Sequence, residues 1–364
     1  MRQARFASID GLRGLAIALV VMFHAYRRWP GQVPWATAHA GFPLFHYGWM
    51  GVELFFLISG FVIHMTLENC RGYGEFLGRR WLRLFPGMLV ATLLVYGTAG
   101  LFAQRPAGPP SLSGLLPGLI FTNPDILYQF TGVRIVPIEG AFWSLFVEVP
   151  FYLIFGLLYF ADREGAVMLL LSLFAAASFQ TLMARLGLPG WPGFGLLVSL
   201  LGLRYYGWFV AGALLWTRYR HGGRAHWLAA LVLPAAMLTT PGAGMDPAAA
   251  AFGAALIALF CLGVFNPVFG RLLAWRPLGF LGFISYPLYL MHENAMIAMT
   301  VDVHGLLPGL PAMLTPLPGL AVLAAVAYLV ARYAEPAMQK TLRALATPPA
   351  PCLRPDTARR NDSY

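Results

Sequence analysis

Residues 84–103 read LFPGMLVATLLVYGTAGLFA, twenty consecutive residues without a charged side chain. A helix of about 20 apolar residues is long enough to cross the hydrocarbon core of a bilayer. Similar stretches recur along the chain and predict about ten spans. They are residues 11–29, 47–66, 84–103, 142–160, 166–184, 196–217, 227–242, 248–266, 278–300 and 314–333. We therefore predict an all-α fold, a polytopic transmembrane helical bundle, because the strands of a membrane barrel would alternate in polarity instead.

The composition excludes several classes of protein. Of the 364 residues, 59% are hydrophobic and only 11% are charged, whereas soluble domains carry about 25% charged residues. This is too few charges for a soluble globular protein or a disordered chain. The three cysteines, Cys70, Cys261 and Cys352, have neither disulfide nor metal-ligand spacing, so no disulfide scaffold and no metal site are predicted.

The net charge of +10 comes almost entirely from arginine, since Lys340 is the only lysine. Most of the basic residues lie in loops on one side of the predicted spans, which the positive-inside rule assigns to the cytoplasm. Ten spans then place both termini in the cytoplasm. We interpret this charge as topological rather than as a nucleic-acid-binding surface. The expected partner is the lipid bilayer, and the expected location is the bacterial cytoplasmic membrane.

The two ends of the chain support a single membrane domain. Asp10 and Arg13 interrupt the first apolar stretch, and Phe23 stands at the −3 position of a cut after Ala25, where signal peptidase requires a small residue. We therefore expect a retained first span rather than a cleaved leader. Residues 1–346 are predicted to form the membrane domain, and the polar residues 347–364 a disordered cytoplasmic tail.

Ionisable residues within the spans are candidate functional groups, because charge is costly in lipid. In the first span, Arg13 and His24 are eleven residues apart. That is three helical turns, so both lie on one helix face, about 16 Å apart along the axis. Asp10 precedes Arg13 by three residues and joins this face. The alternative interpretation is an arginine with its counter-ion at the membrane entrance and a histidine satisfied by a neighbouring helix.

The second and third spans carry further polar residues. Glu53 lies at the start of the second span, where Ser59-Gly60 suits close helix packing. Just before the third span, Arg79 or Arg80 lies beside Arg83 on a helix face, which suits a clamp for phosphate groups. Topological charge is the competing explanation for these arginines.

The fourth and ninth spans add a second group of polar residues. Ser144 and Glu148 are i,i+4 neighbours, and Ser285, Tyr289 and His292 align on one face of a helix that Pro287 is expected to kink. By the topology, the arginines lie near the cytoplasmic face, whereas His24, Glu148 and His292 lie in the outer half of the membrane. A basic mouth with a histidine and a carboxylate beyond it suits proton abstraction from a hydroxyl or amine of a bound molecule.

Taken together, these segments resemble integral-membrane acyltransferase family 3, which includes sugar O-acyltransferases. The resemblance covers most of the chain and depends on several motifs in the family's order, although Glu53 stands where the family commonly has Asp. The motifs are Ile9-Asp10-Gly11-Leu12-Arg13-Gly14 followed by His24, the block from Gly51 to Phe61, the Arg79–Arg83 cluster, Trp143-Ser144-Leu145 with Glu148, Ser285-Tyr286 to His292, and Glu335-Pro336.

The resemblance implies transfer of an acyl group, acetyl by default, from cytosolic acyl-CoA to a hydroxyl of a glycan or glycosylated small molecule, without a metal. In this interpretation His24 is a general base or a nucleophile, with Glu148 and Asp10 as further catalytic candidates. The CoA phosphates would be held by Arg13, Arg79, Arg80 and Arg83. The acceptor would be bound by Glu53, Ser144, Tyr289 and His292.

Two other functions fit part of the pattern. A transporter or exporter would also carry ionisable residues along its path, but it would need no thioester. A structural membrane protein would use the polar residues only to join its helices. In that case replacing His24 with alanine would disturb assembly rather than activity.

Overall fold

A computed structural model of the chain describes residues 2–243 and 246–346, with side chains described from residue 7 to residue 345. All regular secondary structure in these ranges is helical, and they contain no strand. The predicted all-α class is therefore confirmed. The predicted disordered tail, residues 347–364, lies outside the described residues.

Sixteen α-helices make up most of the described chain. They are α1 Arg2–Phe23, α2 Pro43–His46, α3 Gly51–Glu68, α4 Tyr73–Thr98, α5 Leu116–Leu119, α6 Pro124–Thr131, α7 Leu145–Ala161, α8 Ala166–Arg185, α9 Pro192–Leu200, α10 Tyr206–His221, α11 Ala225–Thr239, α12 Pro247–Phe265, α13 Pro267–Leu273, α14 Arg276–Leu306, α15 Pro316–Leu329 and α16 Glu335–Ala346. Two π-helical turns, His24–Arg28 and Val330–Ala334, continue α1 and α15.

Seven helical stretches in the described chain are long and apolar enough to cross a membrane, or eight if a bent pair counts as one span. Each of the ten predicted spans corresponds to helical structure. However, α11 has only 15 residues, and the 31-residue α14 is not among the seven because polar residues occupy its middle. The membrane character is confirmed, while the number ten and the cytoplasmic termini stay predictions.

Two predicted spans differ from the structure in shape. The predicted span 196–217 is not a single helix, because α9 and α10 are bent by 69° relative to each other. The bend follows Gly202, whose φ of 65° a glycine adopts without strain. The span predicted to begin at residue 84 is part of α4, which already begins at Tyr73. The hydropathy pattern marked the start of the apolar core rather than the start of the helix.

The packing of α1 against α14 forms the centre of the fold and requires glycine at the contact. A Cβ atom on Gly14 would lie 2.0 Å from the carbonyl oxygen of Leu278, and one on Gly282 would lie 1.9 Å from that of Asp10. The two helix backbones therefore touch directly, as small residues allow in membrane bundles. This contact fixes the side chains of α1 relative to those of α14.

A second close contact joins α3 to α10. A Cβ atom on Gly60 would lie 2.0 Å from the carbonyl oxygen of Phe209, so the packing role predicted for Gly60 is confirmed. Stacked rings continue this contact: Phe209 lies 4.6 Å from Phe56 and 4.2 Å from Phe151 between ring centroids. These contacts join α3, α7 and α10.

Candidate active site

His24 lies where α1 changes to a π-helical turn, and it faces α14. Its Nδ1 lies 2.9 Å from the carbonyl oxygen of Val20 and 3.2 Å from Nε2 of His292. His292 is fully buried, and its own Nδ1 lies 2.9 Å from the carbonyl oxygen of Tyr289. Because a carbonyl can only accept, the network assigns the Nδ1–H tautomer to both neutral rings.

This tautomer leaves Nε2 of His24 with a free electron pair. Oε1 of Glu293 lies 3.6 Å from this nitrogen, and the side chain of Glu293 is only 5% exposed. A proton accepted at Nε2 would therefore be stabilised by an adjacent carboxylate. The side chain of His24 is 13% exposed, so one edge of the ring can be reached from outside. The group can act as a base or as a nucleophile.

A separate cavity brings together most of the other predicted residues. Its empty volume is about 770 Å³, which includes space open to solvent. The predicted residues that line it are Arg13, Arg80, Arg83, Ser144, Glu148 and Tyr289. His24, His292, Glu53, Asp10 and Arg79 are not among its lining residues.

Three guanidinium groups make one end of this cavity basic. Nη2 of Arg80 donates to Oγ1 of Thr66 at 2.8 Å, while its buried Nε has no hydrogen-bond partner among the described residues. Arg83 lies 3.7 Å from a carboxylate oxygen of Glu335. Arginine presents five donors in a planar fork, so these groups retain N–H bonds for an anion such as a phosphate.

Two predicted residues that do not line the cavity, Arg79 and Asp10, form ion pairs of their own. Arg79 pairs with Glu75 at 2.5 Å, and both side chains are substantially exposed. Asp10 lies 3.6 Å from Arg13, and half of its side chain is exposed. Its partner is therefore Arg13 rather than His24, as the spacing on α1 indicated.

Glu148 belongs to the cavity, where it accepts hydrogen bonds from two side chains. Oγ of Ser59 donates to Oε1 of Glu148 at 2.6 Å, and the hydroxyl of Tyr152 donates to the same oxygen. Of Glu148 and Glu293, it is therefore Glu293 that the structure brings beside His24. Glu53 is 2% exposed, and its Oε2 has no hydrogen-bond partner among the described residues.

Tyr289 connects the cavity with the histidine pair. Its ring lines the cavity, and its hydroxyl donates to Oγ of Ser144 at 2.8 Å. Its backbone carbonyl accepts from His292. Tyr289 of α14 thus lies between the basic cavity and His292, the ring next to His24.

Sequence reasoning missed four residues around the histidines: Glu293, Asn294, Arg105 and Glu139. The signal for Glu293 was present, since it directly follows His292. Arg105 and Glu139 read as ordinary loop residues, because nothing local shows that their side chains are buried. Both are nearly inaccessible, 3% and 1% exposed. Burial and then the neighbouring Glu293 carboxyl raise the pKa of Glu139 to about 8.

No group of three or more histidine, cysteine, aspartate or glutamate side chains in the described residues could hold a metal ion. The polar groups around His24 are instead one imidazole, His292, and one carboxyl, Glu293. Their chemistry is that of proton transfer and hydrogen bonding.

Comparisons with known proteins agree with this chemistry. A family model described as an acyltransferase domain, Acyl_transf_3, matches residues 6–332. Acyltransferase MdmB of Streptomyces mycarofaciens is 30% identical over 173 residues, which are 45% of this chain and 41% of that protein. BcsY of Komagataeibacter xylinus, provisionally named a membrane-bound transacylase, is 31% identical over 158 residues, 41% of this chain and 36% of that protein.

A protein of Staphylococcus aureus (strain COL), provisionally named an O-acetyltransferase, is 27% identical over 159 residues, 40% of this chain and 23% of that protein. The aligned part of the chain thus spans less than half the length of each of these three relatives. No solved structure matches the chain.

Proposed function

This chain belongs to the Acyl_transf_3 family of acyltransferases, and from that membership we propose that it moves an acyl group from acyl-CoA to a hydroxyl of a glycan or glycosylated small molecule. Acetyl is the proposed acyl group, since one relative is named as an O-acetyltransferase. The observation that carries the proposal is the arrangement on α14: Tyr289 separates a cavity with three arginines from the free Nε2 of His24.

The donor occupies the cavity in this proposal. CoA is polyanionic, and Arg13, Arg80 and Arg83 offer charged, forked donors for its phosphates. The buried, unpaired Nε of Arg80 supports an anionic ligand at this end, because a buried donor without a partner is costly. The thioester arm would extend along α14 toward His24 and pass Tyr289. In this proposal the arginines face the cytosol at a bacterial cytoplasmic membrane, as the positive-inside rule predicts.

His24 carries the chemical step. The acceptor hydroxyl gives its proton to Nε2 of His24 while its oxygen bonds to the thioester carbonyl carbon. The C–S bond then breaks, and the imidazolium returns the proton to the departing CoA sulfur. Glu293 stabilises the imidazolium between these events, since its carboxyl oxygen lies 3.6 Å from Nε2. In a second version, Nε2 attacks the thioester carbonyl carbon first and CoA leaves as the thiolate. The acceptor oxygen then attacks the acyl-imidazole, its proton passes to the CoA thiolate, and the imidazole is released.

The acceptor and acyl group can be identified by comparing surface glycans and glycosylated metabolites from cells with and without the protein. Mass spectrometry should show products heavier by one acyl group only in cells that contain the wild-type chain. Cells that contain His24→Ala at equal abundance should match the cells without the protein. A glycan that merely changes location, without a change in mass, would support export and contradict acyl transfer.

A further inference from the structure

The long connection between α4 and α7, residues 102–139, returns at both ends to one residue of α14. Near its start, the backbone N–H of Ala107 donates to Oδ1 of Asn294 at 2.9 Å. At its end, Nδ2 of Asn294 donates to Oε2 of Glu139 at 2.7 Å. The segment from Ala107 to Glu139, which includes the short helices α5 and α6, is thus closed into a loop at Asn294.

Arg105 closes the same loop from the other side. Its Nη1 donates to the carbonyl oxygen of Val95 in α4 at 3.3 Å, and its Nη2 donates to that of Ile138 at 2.9 Å. The same nitrogen lies 3.9 Å from Oε1 of Glu139. One guanidinium group therefore bridges the end of α4 and the end of the connection. We call Arg105, Glu139 and Asn294 the loop clamp.

The loop clamp lies directly against the carboxyl group that faces His24. Asn294 follows Glu293 in α14, and Gly140 follows Glu139 in the chain. A Cβ atom on Gly140 would lie 2.7 Å from Oε2 of Glu293, so the backbone at the end of the connection touches this carboxyl group. Its other oxygen, Oε1, is the one 3.6 Å from His24.

We propose that Arg105 is a positioning residue: by holding the end of the connection at Glu139 and Gly140, it keeps the Glu293 carboxyl group directed at His24. This inference rests on the proposed function of His24. Arg105 does not line the basic cavity, so it acts on the chemical step rather than on donor binding.

Arg105→Met tests the proposal in the full-length protein, purified and reconstituted in lipid. Because this change removes a buried cation beside Glu139, the double variant Arg105→Met/Glu139→Gln is prepared as well, which leaves no unbalanced charge. Arg134→Met is the matched control: it removes the same side chain from the same connection, at an exposed position where the guanidinium packs on Tyr128.

Acetyl transfer is measured at several acetyl-CoA concentrations. The single and the double variant should each lose about 10- to 100-fold in kcat, because a displaced catalytic group costs rates of this order. The KM for acetyl-CoA should stay within about twofold, since donor binding is not altered. Arg105→Lys should recover part of the lost kcat, because an ammonium can still reach one of the two carbonyl oxygens.

A chemical readout separates positioning from general destabilisation. Diethyl pyrocarbonate modifies accessible neutral imidazoles, and mass spectrometry reports the rate at each histidine. His24 should react several-fold faster in the variants, because the Glu293 carboxyl group is no longer held against its Nε2, while the exposed His221, which pairs with Glu68, should keep its rate. Unchanged kcat and unchanged His24 reactivity in the folded double variant would overturn the inference, as would equal losses in Arg134→Met.

The same experiment includes His24→Ala, so that two failures can be told apart. If His24→Ala is inactive and both Arg105 variants behave as wild type, the inference fails and the proposed function stands. If His24→Ala retains full activity, the proposed role of His24 fails, whatever the Arg105 variants do.

Discussion

Replacing Glu293 with glutamine removes the charge that faces His24 and nearly conserves the size of the side chain. Two unit charges 3.6 Å apart interact by about 4.6 kcal/mol at an effective dielectric constant of about 20. Since about 1.36 kcal/mol corresponds to a tenfold change in rate, the largest possible loss is somewhat above 10³-fold. The imidazolium is only partly formed in the transition state, so we expect kcat to fall by about 10²- to 10³-fold.

The assay is acetyl transfer by the reconstituted enzyme, with folding monitored by thermal unfolding in detergent. The matched control is Glu68→Gln, which alters a second carboxylate–histidine pair, with 2.9 Å between Oε1 of Glu68 and Nε2 of His221. The side chain of His221 is 58% exposed and that of Glu68 is 19% exposed. Neither residue lines the cavity or belongs to the histidine pair, so the kcat of Glu68→Gln should equal that of the wild type.

A folded Glu293→Gln enzyme with wild-type kcat would refute the assignment of Glu293 as the partner of His24. A loss confined to the KM for acetyl-CoA would also refute it, because Glu293 does not line the cavity proposed for the donor. An equal loss in Glu68→Gln would mean that the assay reports overall charge rather than this contact.

Three further predictions follow from the packing and the cavity. Replacing both Arg80 and Arg83 with Gln should raise the KM for acetyl-CoA by about 10- to 100-fold at a nearly unchanged kcat, because lost charged contacts weaken ground-state binding. An unchanged KM for acetyl-CoA would contradict the proposal that these arginines bind the CoA phosphates. Gly282→Ala should destabilise the fold by about 1–3 kcal/mol in thermal unfolding, because its Cβ would meet the α1 backbone. Gly279→Ala on the same helix meets nothing within 4 Å and should not destabilise. The pKa of Glu139 is raised from 4.5 to about 8 by burial, so the unfolded chain releases this proton first. The stability that the protonated Glu139 contributes is complete below pH 4.5 and is lost as the pH rises to 8. The melting temperature of the wild type should therefore fall between pH 4.5 and pH 8 relative to that of Glu139→Gln. Parallel plots of melting temperature against pH for the two proteins would contradict this.

Hydropathy alone predicted the helical class and the long apolar helices, because a bilayer demands long apolar runs. It did not predict the short helices α2, α5, α6 and α13, or the polar α16. It did not predict where α4 begins or where α9 and α10 separate. The start of α4 lies in a charged stretch, where the mean hydropathy is too low to indicate a membrane span. The bend after α9 depends on the positive φ of Gly202, and one glycine in an apolar run gives no such signal.

The candidate site was only partly predictable, because its residues belong to different helices. Spacing along α1 correctly joined Asp10 to Arg13 and placed His24 apart from them. Spacing could not show whether Glu148 or Glu293 lies beside His24, since that depends on how α1, α7 and α14 pack. The packing in turn depends on backbone contacts at glycines such as Gly14, and a glycine in the sequence does not show which helix it will contact.

The proposed function requires that acyl transfer from acyl-CoA takes place at His24. The most direct test uses purified, reconstituted protein with acetyl-CoA labelled in the acetyl group and a glycan extract as acceptor. The wild-type protein should transfer label to the glycan, and folded His24→Ala should transfer none above background. Full label transfer by His24→Ala would contradict the claim, as would a wild-type protein that leaves the thioester intact.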